Sequence, residues 1–260
     1  MIVATDLDRT LIPNGKEEYD GTLAEFFELY SKVKFTLVYV SGRNLYLLDE
    51  AVSEYGISYP DWFIAEVGTR IYGREGARLV KDEGWSAEIA EKSPEWNWTR
   101  VKNAIGNENV LTLQEGWKQN EYKLSYYLDD FGKKENELKH IRDTLKSLGV
   151  DADVIYSVDE IAGRGLIDVI PRSATKVMAL EYIRKKLGAE MGEVIYCGDS
   201  GNDLLPLMYG YKAILVKNAR EEIKEAVRGE SRVYIAKGLG RWNGNYVSGI
   251  LEGLKHYGLL

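Results

Sequence analysis

Short apolar runs alternate with helix-spaced apolar positions along most of this chain. Ile2-Val3-Ala4-Thr5 is one such run and Phe35-Thr36-Leu37-Val38-Tyr39-Val40 a longer one, while residues 21–31 between them carry Leu23, Phe26, Phe27 and Tyr30 at helical spacing. Strand, helix, strand is the order of a parallel crossover. Residues 43–55 supply a second amphipathic helix closed by Gly56 at a C-cap position, and Trp62-Phe63-Ile64-Ala65 a third strand. Ile71-Tyr72 and Arg78-Leu79-Val80, separated by a Gly-containing turn, predict a hairpin.

From about Asp82 the pattern changes. A helix is expected to start near Ser93-Pro94, followed by strands over 110–114 and 123–128, a helix over 134–148, and strands over 154–158 and 166–170. Helix, two strands, helix, two strands is an α+β unit rather than a continuation of the crossovers. After Pro171 the alternation resumes, with helices over 174–187, 203–209 and 220–227, strands over 194–197, 213–216 and 233–236, and a last helix from Tyr246. The expected fold class is therefore α/β, a doubly wound and mostly parallel sheet. Residues 1–82 and 163–260 form its discontinuous core, and 83–162 an inserted α+β domain.

Composition narrows the function without naming it. At 260 residues and 45% hydrophobic the chain can bury a sizeable core, and a formal charge of -7 works against nonspecific nucleic-acid or anionic-membrane binding. The start lacks a basic segment and no apolar run approaches the ~18 residues that span a bilayer, so a cytoplasmic protein with no membrane partner is expected. A single cysteine excludes an intramolecular disulfide, and Cys197 reads as a small core residue. His140 and His256 have no ligand spacing, which argues against a histidine metal site or a Ser-His-Asp triad.

The chemistry-bearing pieces are two acidic clusters, Asp6-Leu7-Asp8-Arg9-Thr10 and Gly198-Asp199-Ser200-Gly201-Asn202-Asp203, each directly after an apolar run. Either alone reads more readily as a capping or turn sequence. Parallel neighbouring strands, however, deliver both clusters to one carboxyl-terminal edge, where crowded carboxylates repel and a divalent cation is the usual remedy. An aspartate beside Mg2+ can also act as a nucleophile. Ser41-Gly42-Arg43 ends the second strand; by itself it is a common turn, yet a hydroxyl and free amides at a helix start suit a phosphate dianion.

These pieces, in this order, resemble the four motifs of the haloacid dehalogenase superfamily of phosphotransferases. The resemblance implies Asp6 as nucleophile, Asp8 as general acid/base offering its carbonyl to Mg2+, and Ser41 and Gly42 as phosphate ligands. It further implies Lys176 as the charge-neutralising ammonium, Asn202 as a phosphate- or lysine-orienting residue, and Asp199 and Asp203 as acids at the metal, direct or through water. Arg9 departs from the small or amide residue common at its position. The insertion looks like a type IIB cap, and 65–69 with 117–125 resembles the sucrose-phosphate phosphatase branch. The implied function is a Mg2+-dependent phosphomonoester hydrolase acting through an aspartyl phosphate on small phosphorylated metabolites, above all sugar phosphates. A phosphomutase and a non-catalytic phospho-ligand sensor are the alternatives.

In the cap, alternation places Lys123, Ser125 and Tyr127 on one strand face and Leu124, Tyr126 and Leu128 on the other. The polar face meets either a sugar or solvent, and Gln119, Glu121 and Lys123 are the specificity candidates. Arg164, between two glycines, marks either a cap hinge or a hairpin corner, and Trp96 and Trp98 are expected to pack. Neither the particular substrate nor the oligomeric state follows from the sequence.

Overall fold

The structure is a computed structural model that describes residues 1–106, 110–159 and 162–260. The chain opens with β1 (Ile2–Thr5), α1 (Leu23–Lys32), β2 (Thr36–Val40), α2 (Leu45–Tyr55) and β3 (Trp62–Ala65), then the hairpin β4 (Arg70–Glu75) and β5 (Arg78–Lys81), and α3 (Glu83–Lys92). The middle third holds α4 (Trp98–Ile105), β6 (Leu111–Leu113), β7 (Leu124–Leu128), α5 (Lys134–Leu148), β8 (Ala152–Asp159) and β9 (Arg164–Pro171). The last third holds α6 (Lys176–Lys186), β10 (Val194–Gly198), α7 (Leu204–Met208), β11 (Lys212–Leu215), α8 (Glu221–Ala226), β12 (Val233–Ile235) and α9 (Tyr246–His256).

The large sheet has the order β12-β11-β10-β1-β2-β3-β4-β5 and is parallel from β12 to β3, with the β4–β5 hairpin antiparallel at its edge. β1 lies between β2 and β10, Ile2 pairing with both Thr36 and Val194. The chain thus departs to one side of β1 and later returns on the other, which makes the carboxyl ends of β1 and β10 a topological switch point. Both sheet faces are covered, as a parallel sheet requires. Val3, Leu37, Tyr39, Ile195 and Cys197 face α1, α2 and α9, whereas Ile2, Ala4, Val38, Val40 and Tyr196 face α3, α6, α7 and α8. Burial also pushes the Cys197 thiol upward, as suits an unreactive core residue.

The second sheet, β6-β7-β9-β8, is antiparallel throughout. Helices α4 and α5 cover one face, packing Val101, Ile105, Leu138, Ile141 and Leu145 against Leu124, Tyr126, Leu128, Ile167 and Val169. At about 1.5–3 kcal/mol for each fully buried large apolar side chain, this separate core holds the cap together. The opposite face carries Lys123, Ser125 and Asp168 beside Tyr127, Leu166 and Ile155, and two side-chain bonds join this unit to the core: Asn120 Nδ2 donates to Thr69 Oγ1 (2.8 Å), and the Ser93 and Ser173 hydroxyls meet at 2.7 Å.

Three expectations change. The helix expected near Ser93-Pro94 is two helices. Asp82 caps α3, accepting from Trp85 N at 3.3 Å, and α3 ends at Ser93; Asn97 then caps α4, accepting from Arg100 N at 2.8 Å. The cap begins later than residue 83, because α3 inserts Trp85 and Ile89 into the core layer and Trp85 Nε1 donates to Gly68 O (2.9 Å). It also ends later than 162, because β9 pairs along its full length with β8, from Ala152–Pro171 to Asp159–Arg164. A boundary at 162/163 would separate two strands of one hairpin.

Candidate active site

The ladder between β1 and β10 continues one step beyond β1, with Asp6 N donating to Cys197 O (2.9 Å), and so sets Asp6 beside the strand that ends in Asp199. Carboxylate oxygens of Asp6, Asp199 and Asp203, all buried, lie within 4.8 Å of one another. Lys176 Nζ reaches into this group, 3.0 Å from Asp6 Oδ1, 2.7 Å from Asp203 Oδ1 and 2.9 Å from Asn202 Oδ1. Lys176 is the first residue of α6, where the helix dipole disfavours a cation. Burial opposes its charge as well, yet Asp203 and Asp6 outweigh burial and push its pKa up.

The carboxylates respond in the same sense. Burial raises Asp6 well above the ordinary aspartate value; Lys176 opposes the rise, while Asp203, Asp199 and Asp8 add to it. Asp199 is pushed up to about 7, mostly by burial and then by Asp203, against Arg9 and Thr10. Arg9 Nε lies 3.2 Å from Asp199 Oδ2 and Thr10 Oγ1 3.2 Å from Oδ1. The guanidinium at the unusual position thus joins the acidic group.

Asp203 is held differently. Its Oδ1 accepts from Lys176 and from Tyr196 OH (2.6 Å), and its Oδ2 from Asp199 N, Ser200 N and Ser200 Oγ, each at 3.2 Å. Five donors fill the four or so lone-pair sites of a carboxylate. Gly198 makes the placement possible, since a Cβ there would stand 2.6 Å from Asp203 Cβ. Asp203 therefore orients Lys176 and the loop, and Asp6 and Asp199 have the greater remaining capacity for a cation. Buried, crowded, hard oxygen donors with raised proton affinity fit Mg2+.

Asp8 stands apart from the buried group, its side chain 41% exposed. Arg43 holds it through Nε to Oδ2 (3.0 Å) and Nη2 to Oδ1 (2.8 Å), and Asn14 Nδ2 donates to Oδ1 (2.6 Å). Ser41 is buried at the end of β2, and its Oγ accepts from Arg43 N (3.2 Å). Gly42 is exposed, and a Cβ on it would meet nothing nearer than Val67 at 3.8 Å, so its backbone is open to an approaching ligand.

The cap candidates separate. Lys123 lies on the polar face, its Nζ donating to Ser125 Oγ (2.8 Å) and lying 3.5 Å from Asp168 Oδ1. Gln119 does not converge with it: its amide donates to Gln114 O (3.0 Å) and Ser125 O (2.9 Å) and accepts from Ser125 N (2.8 Å), acting as a substitute strand partner. Glu121 is exposed and contributes its carbonyl to Trp96 Nε1 (2.8 Å). Trp96 and Trp98 pack on the cap core, and Trp98 Nε1 donates to Lys123 O (3.0 Å). Arg164 opens β9, paired to Asp129 and placed 3.8 Å over the Tyr127 ring. Sequence reasoning missed Asp168 on the same face, Glu66 at the junction of cap and core, and Arg43 as the partner of Asp8.

Comparison with known proteins decides the family. The model of sucrose-6F-phosphate phosphohydrolase matches residues 1–258. The chain belongs to that family. Sucrose-phosphatase 2 of Nicotiana tabacum is 32% identical over 86% of the chain, which spans 51% of the tobacco protein's length. Mannosylfructose-phosphate phosphatase of Agrobacterium fabrum is 26% identical, with 99% of this chain and 97% of that protein covered. The sucrose-phosphatase of Synechocystis sp. PCC6803, solved with sucrose and phosphate, superposes with a TM-score of 0.80 at 25% identity, covering 99% of this chain and 97% of that one. This family member is thus a phosphatase of the haloacid dehalogenase type, with the α/β fold class expected from its alternating strands and helices. No helix among the described residues is long and apolar enough to cross a membrane.

Proposed function

We propose that this phosphatase hydrolyses sugar phosphates, phosphorylated disaccharides foremost, through a phosphoryl group carried transiently on Asp6. The observation that supports the reading best is Lys176, buried between Asp6, Asn202 and Asp203 at the switch point, beneath a cap whose polar face presents Lys123, Ser125 and Asp168. Asp6 attacks phosphorus, and Asp8 gives its proton to the leaving sugar oxygen and afterwards takes one from the hydrolytic water. Arg43 and Asn14 orient Asp8 for both transfers. Ser41, the Gly42 amide and Asn202 hold the phosphoryl oxygens, and Lys176 neutralises charge on nucleophile and phosphoryl group together. Asp6, the Asp8 carbonyl and Asp199 would hold Mg2+, with Asp203 acting from behind. The ion supplies further neutralisation of the phosphoryl oxygens. Closure of the cap excludes bulk water and selects the leaving group. The names of the tobacco, Agrobacterium and Synechocystis relatives favour a disaccharide as that group.

The test is phosphate release from sucrose 6-phosphate, mannosylfructose phosphate, monosaccharide phosphates, phosphoglycolate and nucleotides, with Mg2+ or with excess chelator. Release is expected from the sugar phosphates and only with Mg2+. Full activity in chelator, or turnover confined to the other substrates, would refute the reading.

A pH dependence follows from Asp199. Its pKa of about 7 in the folded protein lies above the ordinary aspartate value, so the protonated carboxyl stabilises the metal-free fold at low pH. That contribution is lost as pH rises from about 4 through about 7. Mg2+ takes the proton's place, so its effect on Tm should be larger at about pH 8 than at about pH 5. Scanning calorimetry with and without Mg2+ measures this; a gain that shrinks with rising pH would contradict a cation at Asp199.

A further inference from the structure

Two consecutive non-glycine residues at the end of β3 hold left-handed backbone, Glu66 with φ 53 and Val67 with φ 60. The conformation is especially unfavourable for a β-branched residue and persists only where the surroundings over-determine it. They do so here from two sides. Glu66 N donates to Arg43 O and Val67 N to Ser41 O, both at 3.0 Å, tying the turn to the phosphate-binding loop. Gly68, with φ 114, packs against the start of α6 so closely that a Cβ would stand 2.5 Å from Lys176 N.

This turn sets a carboxylate under the cap. Glu66 is 2% exposed, and among the described residues its Oε2 has no hydrogen-bond donor: Arg70 Nη1 lies 3.1 Å away and forms an ion pair with it, but outside hydrogen-bonding geometry. Burial raises the carboxyl, Arg70, Lys123 and a hydrogen bond from Asn120 lower it, and Asp168 raises it again. Lys123 and Asp168 belong to the polar cap face, so Glu66 joins the same polar cluster from the core side. The carboxylate is charge-compensated by Arg70, but its Oε2 keeps a lone pair open to a hydrogen-bond donor that a ligand can supply.

We propose that Glu66 is a specificity-determining residue whose Oε2 accepts a hydrogen bond from a hydroxyl of the leaving sugar. The inference rests on the sugar-phosphate reading above and deepens it. Because the turn is bonded to Ser41 and Arg43, Glu66 keeps a fixed offset from the phosphoryl site, whereas Lys123 and Asp168 belong to the cap. Glu66 thus tests where a hydroxyl lies relative to phosphorus, and the cap supplies the remaining contacts.

The experiment compares Glu66→Gln, which keeps the size of the side chain, with Glu66→Asn, which suits left-handed backbone but is too short to reach. For the preferred sugar phosphate kcat/KM should fall about tenfold or more, mainly through KM and further in Glu66→Asn, while p-nitrophenyl phosphate stays within about twofold. A substrate analogue deoxygenated at the recognised hydroxyl should lose the same factor on the wild type, a measurement independent of how the variants fold, and nothing further on the variant. Equal losses on both substrates would make the turn a support of the phosphate loop alone and overturn the proposal. So would an unchanged preference for the sugar phosphate, or a complete deoxy series without effect on the wild type. A wild type that hydrolyses p-nitrophenyl phosphate and no sugar phosphate would instead overturn the substrate reading, and this proposal with it.

Discussion

Asp6→Asn lowers turnover by at least about a thousandfold, the scale seen when a nucleophile is removed, while leaving the metal-free protein as stable as the wild type or more so. The two halves of this expectation have one origin. Asp6 is buried among Asp199, Asp203 and Lys176, and burial raises its pKa well above the ordinary value. A neutral amide of the same shape therefore removes charge that the fold disfavours, and Lys176 keeps Asp203 as a partner at 2.7 Å. A residue that merely supported the loop would show the opposite, a lower Tm with partial activity. Asp8→Asn provides the contrast, because Asp8 lies outside the buried group and is held by Arg43 and Asn14. On the proposed mechanism its loss blocks proton transfer but leaves the nucleophile, so intact-mass analysis after mixing with substrate should show a phosphorylated chain in Asp8→Asn and none in Asp6→Asn. A phosphorylated Asp6→Asn chain would exclude Asp6 as the acceptor.

The convergence of the two acidic clusters on one sheet edge was legible in the sequence because parallel strands impose it. Once Ile2–Thr5 and Val194–Gly198 are strands in one doubly wound sheet, the residues directly after them share an edge, and the ladder bond from Asp6 N to Cys197 O makes them neighbours. In the cap the period of two was equally informative, since Leu124, Tyr126 and Leu128 do enter the apolar core and Lys123 and Ser125 the polar face. Asp168, alone among apolar neighbours in Ile167-Asp168-Val169, carried the same signal. The expected boundary at 162, however, assigned it to the core. Other contacts had no local signature. Gln119 looked like a ligand because it is polar and near Lys123, but its amide is engaged by backbone at Gln114 and Ser125. Glu66-Val67 gives no warning of a left-handed turn, because glycine follows it only at Gly68; the backbone of Ser41 and Arg43, some two dozen residues upstream, enforces the shape. Helix α3 was hidden because few of its residues, Trp85 and Ile89, are buried.

Lys176→Met should cost about 3–5 kcal/mol of stability in metal-free protein and about a hundredfold or more in kcat. Methionine matches the side chain in volume but leaves Asp6, Asp203 and the Asn202 carbonyl without the ammonium that now lies 2.7 to 3.0 Å from each. The stability loss comes from the buried charges left behind rather than from packing, and two measurements separate those causes. Urea unfolding should show Mg2+ restoring part of the loss in the variant, since a cation relieves the same carboxylates; a cavity would be indifferent to the ion. A double-mutant cycle with Asp203→Asn should show strong coupling, because the second substitution removes the charge that the first left unpaired. If the two losses simply add, Lys176 is not the electrostatic keystone of this edge, and neutralisation of the phosphoryl group would fall to Arg9 and the metal ion. Activity should remain low in the double variant even as stability recovers, because the ammonium is still missing from the transferring group.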